Sequence, residues 1–499
     1  MNKVIAFLFA LVTIFWVSSC LPGDQVNTDP GVSLSFSLDT IRFDTVFTEV
    51  GSSTQILKVY NSYDQPLNIS DIQFKNGNST KFRMNVDGIA ASRHQDVFIP
   101  AEDSIYVFVE VTIDPDEPLS SSPFVISDAI QFEINSNEQE VILEAWGQNA
   151  NYIPSRFGSG GVALLSCNNE EVLWDDPKPY VIYGVLVVDS CSLRMIEGTQ
   201  VYVHGGVAIG EDGQGGNFIY NDGLLVVGAN GRLITEGTPE NPVVIQGDRL
   251  EEFFEEITGQ WSGIRISGED SYLLNTEIKN SKLGIYVDSS ASLELDKVKV
   301  YNTTGPGLYA KHADIQASNT LFYNNGGGSV QLVQGGNYDF TYCTLASYGY
   351  DASALTVSNG ICYDPLCSTF DINPLNIKVT NSIVFGSRRD EINMVDFTSG
   401  QGQFVFNVEL EDCIVRVDDL LDPEEGGYPN FFEEYCNPCL NGDPSMVLFA
   451  NPSENDFHLD TLSVAEQLAV PIPGITTDLE NNDRDPQNPD LGCYEYIYE

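Results

Sequence analysis

The amino-acid sequence predicts an all-β protein in which a small β-sandwich is followed by a right-handed parallel β-helix. Between residues 271 and 325 the chain repeats every 22 residues, which suits one coil of a β-helix. Apolar and polar residues alternate within each repeat, as they do in strands. Alternating strands separated by turn residues also fill residues 34–150, at spacings typical of a sandwich.

The repeat is anchored by Asn280, Asn302 and Asn324, each of which follows a short apolar strand. Equivalent inward positions lie two and four residues before each asparagine: Ile278, Val300 and Phe322, and Thr276, Val298 and Thr320. Asparagine and glycine accept left-handed backbone, which the corners of a coil require. Because one coil cannot bury its own inward face, coils must stack on one another.

Five segments follow from these patterns. We predict a lipoprotein signal peptide at residues 1–20, a tether at 21–33, an immunoglobulin-like β-sandwich at 34–150, the β-helix at 151–445, and a capping module at 446–499. The last segment breaks the period, and a solenoid needs an irregular end to cover its terminal coil.

The N-terminus sets the predicted compartment. Residues 4–17 form an apolar run that is too short to span a bilayer stably. The run ends in Val17-Ser18-Ser19-Cys20, which resembles a bacterial lipobox. The resemblance implies that Cys20 is lipidated and holds the protein at the outer membrane or cell surface. The alternative is an ordinary secretory signal with an incidental cysteine.

The formal charge of −49 comes from 23 Lys+Arg against 72 Asp+Glu. Such a chain repels nucleic acid, so no nucleic-acid partner is predicted. It also disfavours a polyanionic polysaccharide unless calcium bridges the two. The alternative explanation is that the acidity serves solubility alone.

Two regions of the chain resemble known families. Residues 43–47, with Leu143-Glu144-Ala145-Trp146-Gly147, are similar to the abnormal-spindle-like immunoglobulin family, which implies a spacer or adhesion module without a catalytic centre. Residues 237–245 and Gln260-Trp261-Ser262-Gly263-Ile264 resemble parallel β-helix surface proteins of Bacteroidetes-type bacteria. That resemblance specifies fold rather than activity.

Nine cysteines remain after Cys20, in a compartment that permits disulfides. The candidates for disulfides are Cys167 with Cys191, Cys362 with Cys367, and Cys436 with Cys439. A redox role for the Cys436–Cys439 motif is the alternative, although a thioredoxin-like context is missing.

Cys343 and Cys413 fall on one inward stack, with Ser382 supplying the same position in the coil between them. Two coils separate the sulfurs by roughly 10 Å, beyond disulfide reach. Both are therefore predicted to be buried free thiols.

No catalytic residue can be assigned from the sequence. Lys297, Lys299 and Lys311 are candidates for a lyase base, or simply lie on a solvated outer face. Trp261 is either a sugar platform or a packed coil residue. Residues 478–490 are rich in Asp and Asn, which makes calcium a possible cofactor.

Four hydroxyl residues follow an aspartate and precede an apolar residue, which resembles the Bacteroidetes O-glycosylation acceptor: Thr40, Thr45, Ser104 and Thr461. Alternating strands also produce such triplets by chance.

The sequence favours a non-enzymatic surface lipoprotein with a structural, adhesive or glycan-binding role, whose partner is a glycan or another surface protein. The alternative is a polysaccharide lyase or glycoside hydrolase with its site on the β-helix flank. A groove that gathers carboxylates, a base and exposed aromatic rings would distinguish a carbohydrate site from a plain scaffold.

Overall fold

The computed structural model describes residues 25–47, 54–112, 124–148, 150–153, 162–211, 217–221, 223–250, 254–364, 366–398, 406–424 and 427–497. The chain divides into two compact units, residues 1–149 and 150–499. No helix in these ranges is long and apolar enough to cross a membrane.

The first unit contains two five-stranded sheets. Its strands are β1 (Ser35–Phe36), β2 (Thr40–Phe47), β3 (Gln55–Tyr60), β4 (Leu67–Phe74), β5 (Phe82–Val86), β6 (Ile89–Ala90), β7 (Arg93–Ile99), β8 (Ser104–Val111), β9 (Phe124–Ile134) and β10 (Asn137–Gln148), with a 3-10 helix at Gly77–Ser79. The sheet orders are β1-β3-β8-β5-β6 and β2-β10-β9-β4-β7. Leu57 and Val107 of one sheet share a core with Phe132 and Leu143 of the other, as in a sandwich.

The second unit is a solenoid of short parallel strands. Its first half contains β11 (Asn151–Ile153), β12 (Val162–Leu165), β13 (Glu171–Trp174), β14 (Tyr180–Tyr183), β15 (Val185–Val188), β16 (Cys191–Ile196), β17 (Gln200–His204), β18 (Val207–Glu211), β19 (Asn217–Asn221), β20 (Leu224–Val227), β21 (Gly231–Glu236), β22 (Val243–Gly247), β23 (Gly263–Ile266), β24 (Ser271–Lys279) and β25 (Ile285–Val287).

The second half contains β26 (Ser292–Thr303), β27 (Leu308–Ser318), β28 (Leu321–Asn325), β29 (Val330–Thr341), β30 (Thr344–Ser347), β31 (Leu355–Ser358), β32 (Gly360–Cys362), β33 (Phe370–Ile372), β34 (Leu375–Thr380), β35 (Ile383–Gly386), β36 (Ile392–Val395), β37 (Phe406–Glu411), β38 (Cys413–Val415), β39 (Cys439–Asn441), β40 (Phe449–Asn451) and β41 (Asp456–Leu459). A helix α1 (Phe431–Glu434) and 3-10 helices at Asp419–Leu421 and Pro452–Glu454 complete the unit.

The parallel strands form three faces. Face A comprises the whole of β12, β15, β20, β23, β25, β31 and β36. It also contains the first part of β27 and the first part of β29. Face B comprises the whole of β13, β16, β21, β34 and β37. It also contains the first part of β24, the first part of β26, the second part of β27 and the second part of β29. Face C comprises the whole of β11, β14, β17, β22, β28, β30, β35, β38 and β39. It also contains the second part of β24 and the second part of β26. The hairpins β18–β19 and β32–β33 branch from coil corners.

Inward side chains of successive coils lie on top of one another, which is what holds the coils together. One such stack on face B is Leu273, Leu295, Ala317, Phe340, Val379 and Leu410, all buried. The first two steps of this stack are 22 residues each, so the predicted repeat is the coil length here. The small Ala317 lies beneath the large Phe340, and this size alternation keeps the interior dense. The all-β prediction and the parallel solenoid are confirmed.

The predicted corner asparagines have left-handed backbone, with φ of 63° at Asn280, 53° at Asn302 and 52° at Asn324. A glycine is required at the start of β23, where Gly263 has φ +118° and a Cβ would lie 1.8 Å from the carbonyl of Leu283. Local backbone demands therefore explain which residues turn the coils.

Residues 446–497 cover the outward side of face C. Phe449, Phe457 and Leu459 pack against Leu321 and Phe385 of the coils. The cover is fastened by a buried arginine, Arg484, whose guanidinium lies 3.9 Å above the ring of Tyr342 and donates to Asn319 Oδ1 at 2.8 Å and Glu495 at 3.2 Å. Faces A and B of the same coils carry outward side chains of their own.

Candidate functional site

Face A carries one outward column that changes character along the solenoid. Strand register places Leu164, Val187, Val226, Arg265, Tyr286, Tyr309, Gln331, Thr356 and Asn393 in successive coils. Neighbouring members are separated by the strand spacing of about 4.8 Å. The column is apolar in the first coils, basic and aromatic in the middle, and polar in the last coils.

The centre of the column is a tyrosine pair. The rings of Tyr286 and Tyr309 are stacked, with centroids 5.3 Å apart and planes inclined by 16°. The Arg265 guanidinium lies 5.2 Å from the Tyr286 centroid, within the range of a cation–π contact. Burial raises the pKa of both tyrosines, so their hydroxyls stay protonated and able to donate at neutral pH.

Arg265 is fixed in place by a carboxylate on the next coil. Its Nε and Nη2 donate to the two oxygens of Asp288 at 2.7 and 3.0 Å, and Ser267 Oγ donates to the same carboxylate at 2.5 Å. Burial alone would raise the pKa of Asp288, but the hydrogen bonds from Arg265 and Ser267 outweigh it and lower the pKa. Asp288 is therefore an ionised acceptor, and it holds the paired guanidinium over the Tyr286 ring.

The hairpin β32–β33 stands beside this part of face A. The Tyr363 hydroxyl donates to Asp371 Oδ2 at 2.7 Å, and Gln334 Nε2 donates to the same oxygen at 3.2 Å. Lys311, one coil after Asp288, has its Nζ 5.4 Å from the Tyr363 centroid. Half of the Tyr363 surface is exposed. The hairpin thus adds an open aromatic ring and a second carboxylate.

These groups are of the kinds that carbohydrate sites use. Aromatic rings offer apolar surface to a sugar, here at the outer edges of the stacked tyrosines, and convergent polar groups bind its hydroxyls. We call the set of Arg265, Tyr286, Asp288, Tyr309, Lys311, Tyr363 and Asp371 the tyrosine face. Gln334 beneath it is 7% exposed, and its Oε1 has no hydrogen-bond partner within the part of the chain that the structure describes.

The other lysines considered as bases have structural partners. Lys297 Nζ donates to Thr477 Oγ1 at 2.7 Å and also to Asn481. Lys299 Nζ lies 3.8 Å from Glu277 and 3.9 Å from Glu480. Both lysines thus tie the coils to residues 446–497.

Trp261 is not available as a sugar platform. It is fully buried, and its Nε1 donates to the carbonyl of Lys279 at 2.8 Å. The indole therefore packs a coil, which was the alternative explanation from the sequence.

Six of the cysteines form the pairs considered above. The S–S distances are 2.08 Å for Cys167–Cys191, 1.89 Å for Cys362–Cys367 and 2.11 Å for Cys436–Cys439. The second pair closes the hairpin that carries Tyr363.

Cys343, Cys413 and Cys493 are free and buried. The Cys343 amide donates to Ser382 Oγ at 2.9 Å, in the coil that separates Cys343 from Cys413. Burial raises the pKa of Cys413 to about 12 and that of Cys343 still further, so both are unreactive as thiolates.

Two buried carboxylates of the acidic segment 478–490 accept hydrogen bonds from backbone amides inside and outside the segment. Asp478 is fully buried and accepts from the amides of Glu480, Asn482 and Glu495 at 2.9, 2.8 and 3.0 Å. Asp490 accepts from the amides of Gln467 and Tyr496. In the ranges described, no group of three or more His, Cys, Asp or Glu side chains is arranged to hold a metal ion.

The candidate modification sites are scattered. Thr40 and Ser104 begin β2 and β8 and are partly exposed, whereas Thr461 is exposed and its hydroxyl donates to Asp460 at 3.4 Å. Thr45 lies in β2, but its side chain is outside the described residues, as is Cys20 entirely.

Sequence reasoning singled out Lys311 but missed Tyr286, Tyr309 and Tyr363. The available signal was an aromatic residue at the outward position of consecutive repeats. The spacing hides that signal, because Tyr286 lies 21 residues after Arg265 and 23 before Tyr309.

Comparison with known proteins supports the solenoid. The family model described as a right handed beta helix region matches residues 217–363 and, in an overlapping match, residues 262–415. No curated protein matches this chain.

Three solved structures align weakly. A family 123 glycoside hydrolase from Clostridium perfringens aligns at 6% identity over 47% of this chain and 67% of its own, with a TM-score of 0.19. The catalytic unit of a GH87 α-1,3-glucanase from Streptomyces thermodiastaticus aligns at 11% identity over 72% and 79%, with a TM-score of 0.27. A GH87 α-1,3-glucanase catalytic domain in complex with tetrasaccharides aligns at 10% identity over 72% of this chain and 80% of its own, with a TM-score of 0.17. Alignments at this level establish neither a shared fold nor a shared activity.

Proposed function

We propose that this protein is a carbohydrate-binding surface protein whose solenoid binds a glycan at the tyrosine face. The observation that carries the proposal is the stacked Tyr286–Tyr309 pair, flanked by the fixed Arg265–Asp288 pair and by Lys311. A glycan bound there would place sugar rings against the tyrosines and its hydroxyls against the charged groups. We propose further that the chain is anchored through Cys20, with the N-terminal sandwich as a spacer.

The test is affinity electrophoresis of the purified mature protein through gels that contain a soluble polysaccharide, run for a panel of neutral and uronate polymers. Replacing Tyr286 or Tyr309 by Ala removes the contact surface of one ring, worth roughly 1.5–3 kcal/mol. We therefore expect affinity to fall about tenfold or more. Tyr106→Ala is the matched control, because Tyr106 is also an outward ring stacked on an aromatic neighbour, Phe108 at 6.2 Å. Equal effects of all three changes, or no retardation by any polymer, would contradict the proposal.

A second candidate function is cleavage of the bound glycan, and the position of Lys311 favours it. Its ammonium lies beside the Tyr363 ring, whose hydroxyl is hydrogen-bonded to Asp371, so a basic and an acidic group share one open face. The same panel can be assayed for new reducing ends and for the ultraviolet absorbance of unsaturated products. Turnover that disappears in Lys311→Met but persists in Lys282→Met, an exposed lysine at a turn, would establish cleavage.

A further inference from the structure

Face B carries an open groove, separate from the tyrosine face. The groove crosses six coils and has a volume of about 600 Å³. Its floor consists of two outward columns, because strand register places equivalent residues of successive coils side by side. The first column is Ser292, Asp314, Asn337, Asn376 and Asn407. It presents small amide, hydroxyl and carboxylate groups without a bulky side chain between them.

The first column is an ordered ladder. Asn337 Nδ2 donates to Asp314 Oδ1 at 2.6 Å, and Asn376 Nδ2 donates to Asn337 Oδ1 at 3.0 Å. Each amide carries two N–H donors and two lone pairs, and these bonds along the column use only part of that capacity. The amides are thus fixed in orientation while still able to bind a ligand in the groove.

The second column is Tyr272, Glu294, Gln316, Asp339, Lys378 and Glu409. Its single cation, Lys378, is bound by Glu411 at 2.8 Å, a hydrogen bond that raises the pKa of the lysine. Glu294, Asp339 and Glu409 therefore leave the groove acidic. An anionic ligand is repelled, whereas an uncharged ligand rich in hydroxyl donors finds acceptors along its whole length.

The repeat of the groove matches the repeat of such a ligand. Coils rise by about 4.8 Å, so the same pair of polar columns recurs at that interval. This rise is close to the length of one pyranose unit in an extended chain. A chain along the solenoid axis would therefore meet one member of each column per sugar.

We infer that the groove on face B is a binding site for an extended neutral polysaccharide that lies along the solenoid axis. The site goes beyond the proposed function, since it shares no residue with the tyrosine face. It differs in chemistry as well: the tyrosine face offers the edges of aromatic rings, and the groove offers a ladder of hydrogen bonds.

The test uses affinity electrophoresis of the mature protein with soluble β-1,3-glucan, hydroxyethyl cellulose and soluble starch as neutral probes and polygalacturonate as the anionic probe. We expect retardation by at least one neutral probe. The double variant Asn337→Ala/Asn376→Ala should lose about tenfold in affinity, because the ligand loses two hydrogen bonds of typical strength. Asn230→Ala, at an exposed turn of the same solenoid, is the matched control. Circular dichroism and thermal unfolding of each variant verify folding.

The outcomes separate the two sites. If Tyr286→Ala/Tyr309→Ala leaves this retardation intact while the asparagine variant weakens it about tenfold, the groove is a site of its own. Loss in the tyrosine variant alone assigns the binding to face A and overturns the inference while leaving the proposed function standing. No retardation by any neutral probe, stronger binding of polygalacturonate, or binding that a chelator abolishes would each overturn the inference, the last in favour of a calcium site.

Discussion

Glu391 offers the sharpest test of the coil packing. It precedes β36, is fully buried, and accepts hydrogen bonds from the amides of Arg388 at 2.7 Å and Ala354 at 3.0 Å. Burial raises its pKa from 4.5 to about 7, although the two backbone hydrogen bonds oppose the shift. The carboxylate is therefore less favourable in the folded coil than in the unfolded chain.

The sign of the pH dependence follows from the linkage between proton binding and folding. Because the folded pKa exceeds the unfolded one, the contribution of Glu391 to stability is fully present below about pH 4.5 and is lost as the pH rises towards 7. At 1.36 kcal/mol per pKa unit, the full loss above pH 7 is about 3 kcal/mol. Glu391→Gln is neutral at every pH. Its amide nitrogen cannot accept one of the two backbone hydrogen bonds, and the cost of that lost bond, about 1–3 kcal/mol, does not vary with pH.

Urea denaturation from pH 4 to 8, followed by the fluorescence of Trp174 and Trp261 in the solenoid, measures the difference in unfolding free energy between the two proteins. Relative to the wild type, the variant should gain about 3 kcal/mol across this range, since the other titrations cancel. A difference that stays constant with pH would refute the assignment of a buried, protonated Glu391.

Three further predictions concern the anchor, the thiols and the C-terminal cover. Cys20→Ala should release the protein from the membrane fraction; unchanged fractionation would show that no lipid is attached there. Cys343 and Cys413 should react with an alkylating agent only after denaturation, and mass mapping that finds them joined would refute the coil register. Arg484→Met should destabilise the cover by about 3–5 kcal/mol, because it leaves Glu495 buried without its cation. Limited proteolysis of the variant should then cleave within residues 446–497. Full resistance of the variant to cleavage there would contradict this prediction.

The fold could be predicted because its determinants are local and repeated. Asn280, Asn302 and Asn324 mark corners whose left-handed backbone few other residues accept, and the inward stack through Leu273 and Leu295 keeps its spacing. Alternation of side chains likewise indicated the strands of the sandwich.

The candidate site could not be predicted, because the residues that form it are neither local in sequence nor repeated. Packing does not constrain the identity of outward residues, so no chemical pattern marks a column, and insertions at the corners change the interval between successive coils. Asn337 and Asn376 are neighbours on face B although 39 residues separate them, because the hairpin β32–β33 intervenes. Only the strand register reveals which outward residues share a column.

Parallel in-register stacking also determines how such a chain can diverge. Removing or duplicating one whole coil shortens or lengthens both outward columns of face B by one member and leaves the remaining members aligned. A partial insertion is accommodated at a coil corner, as the hairpin β32–β33 shows. It changes the surface next to that corner and leaves the two outward columns of face B aligned. The solenoid can thus change the length of its outer surface in whole units, but the coils beneath the groove are also those that carry Leu321 and Phe385 under residues 446–497, so such a change must be matched in the covering segment.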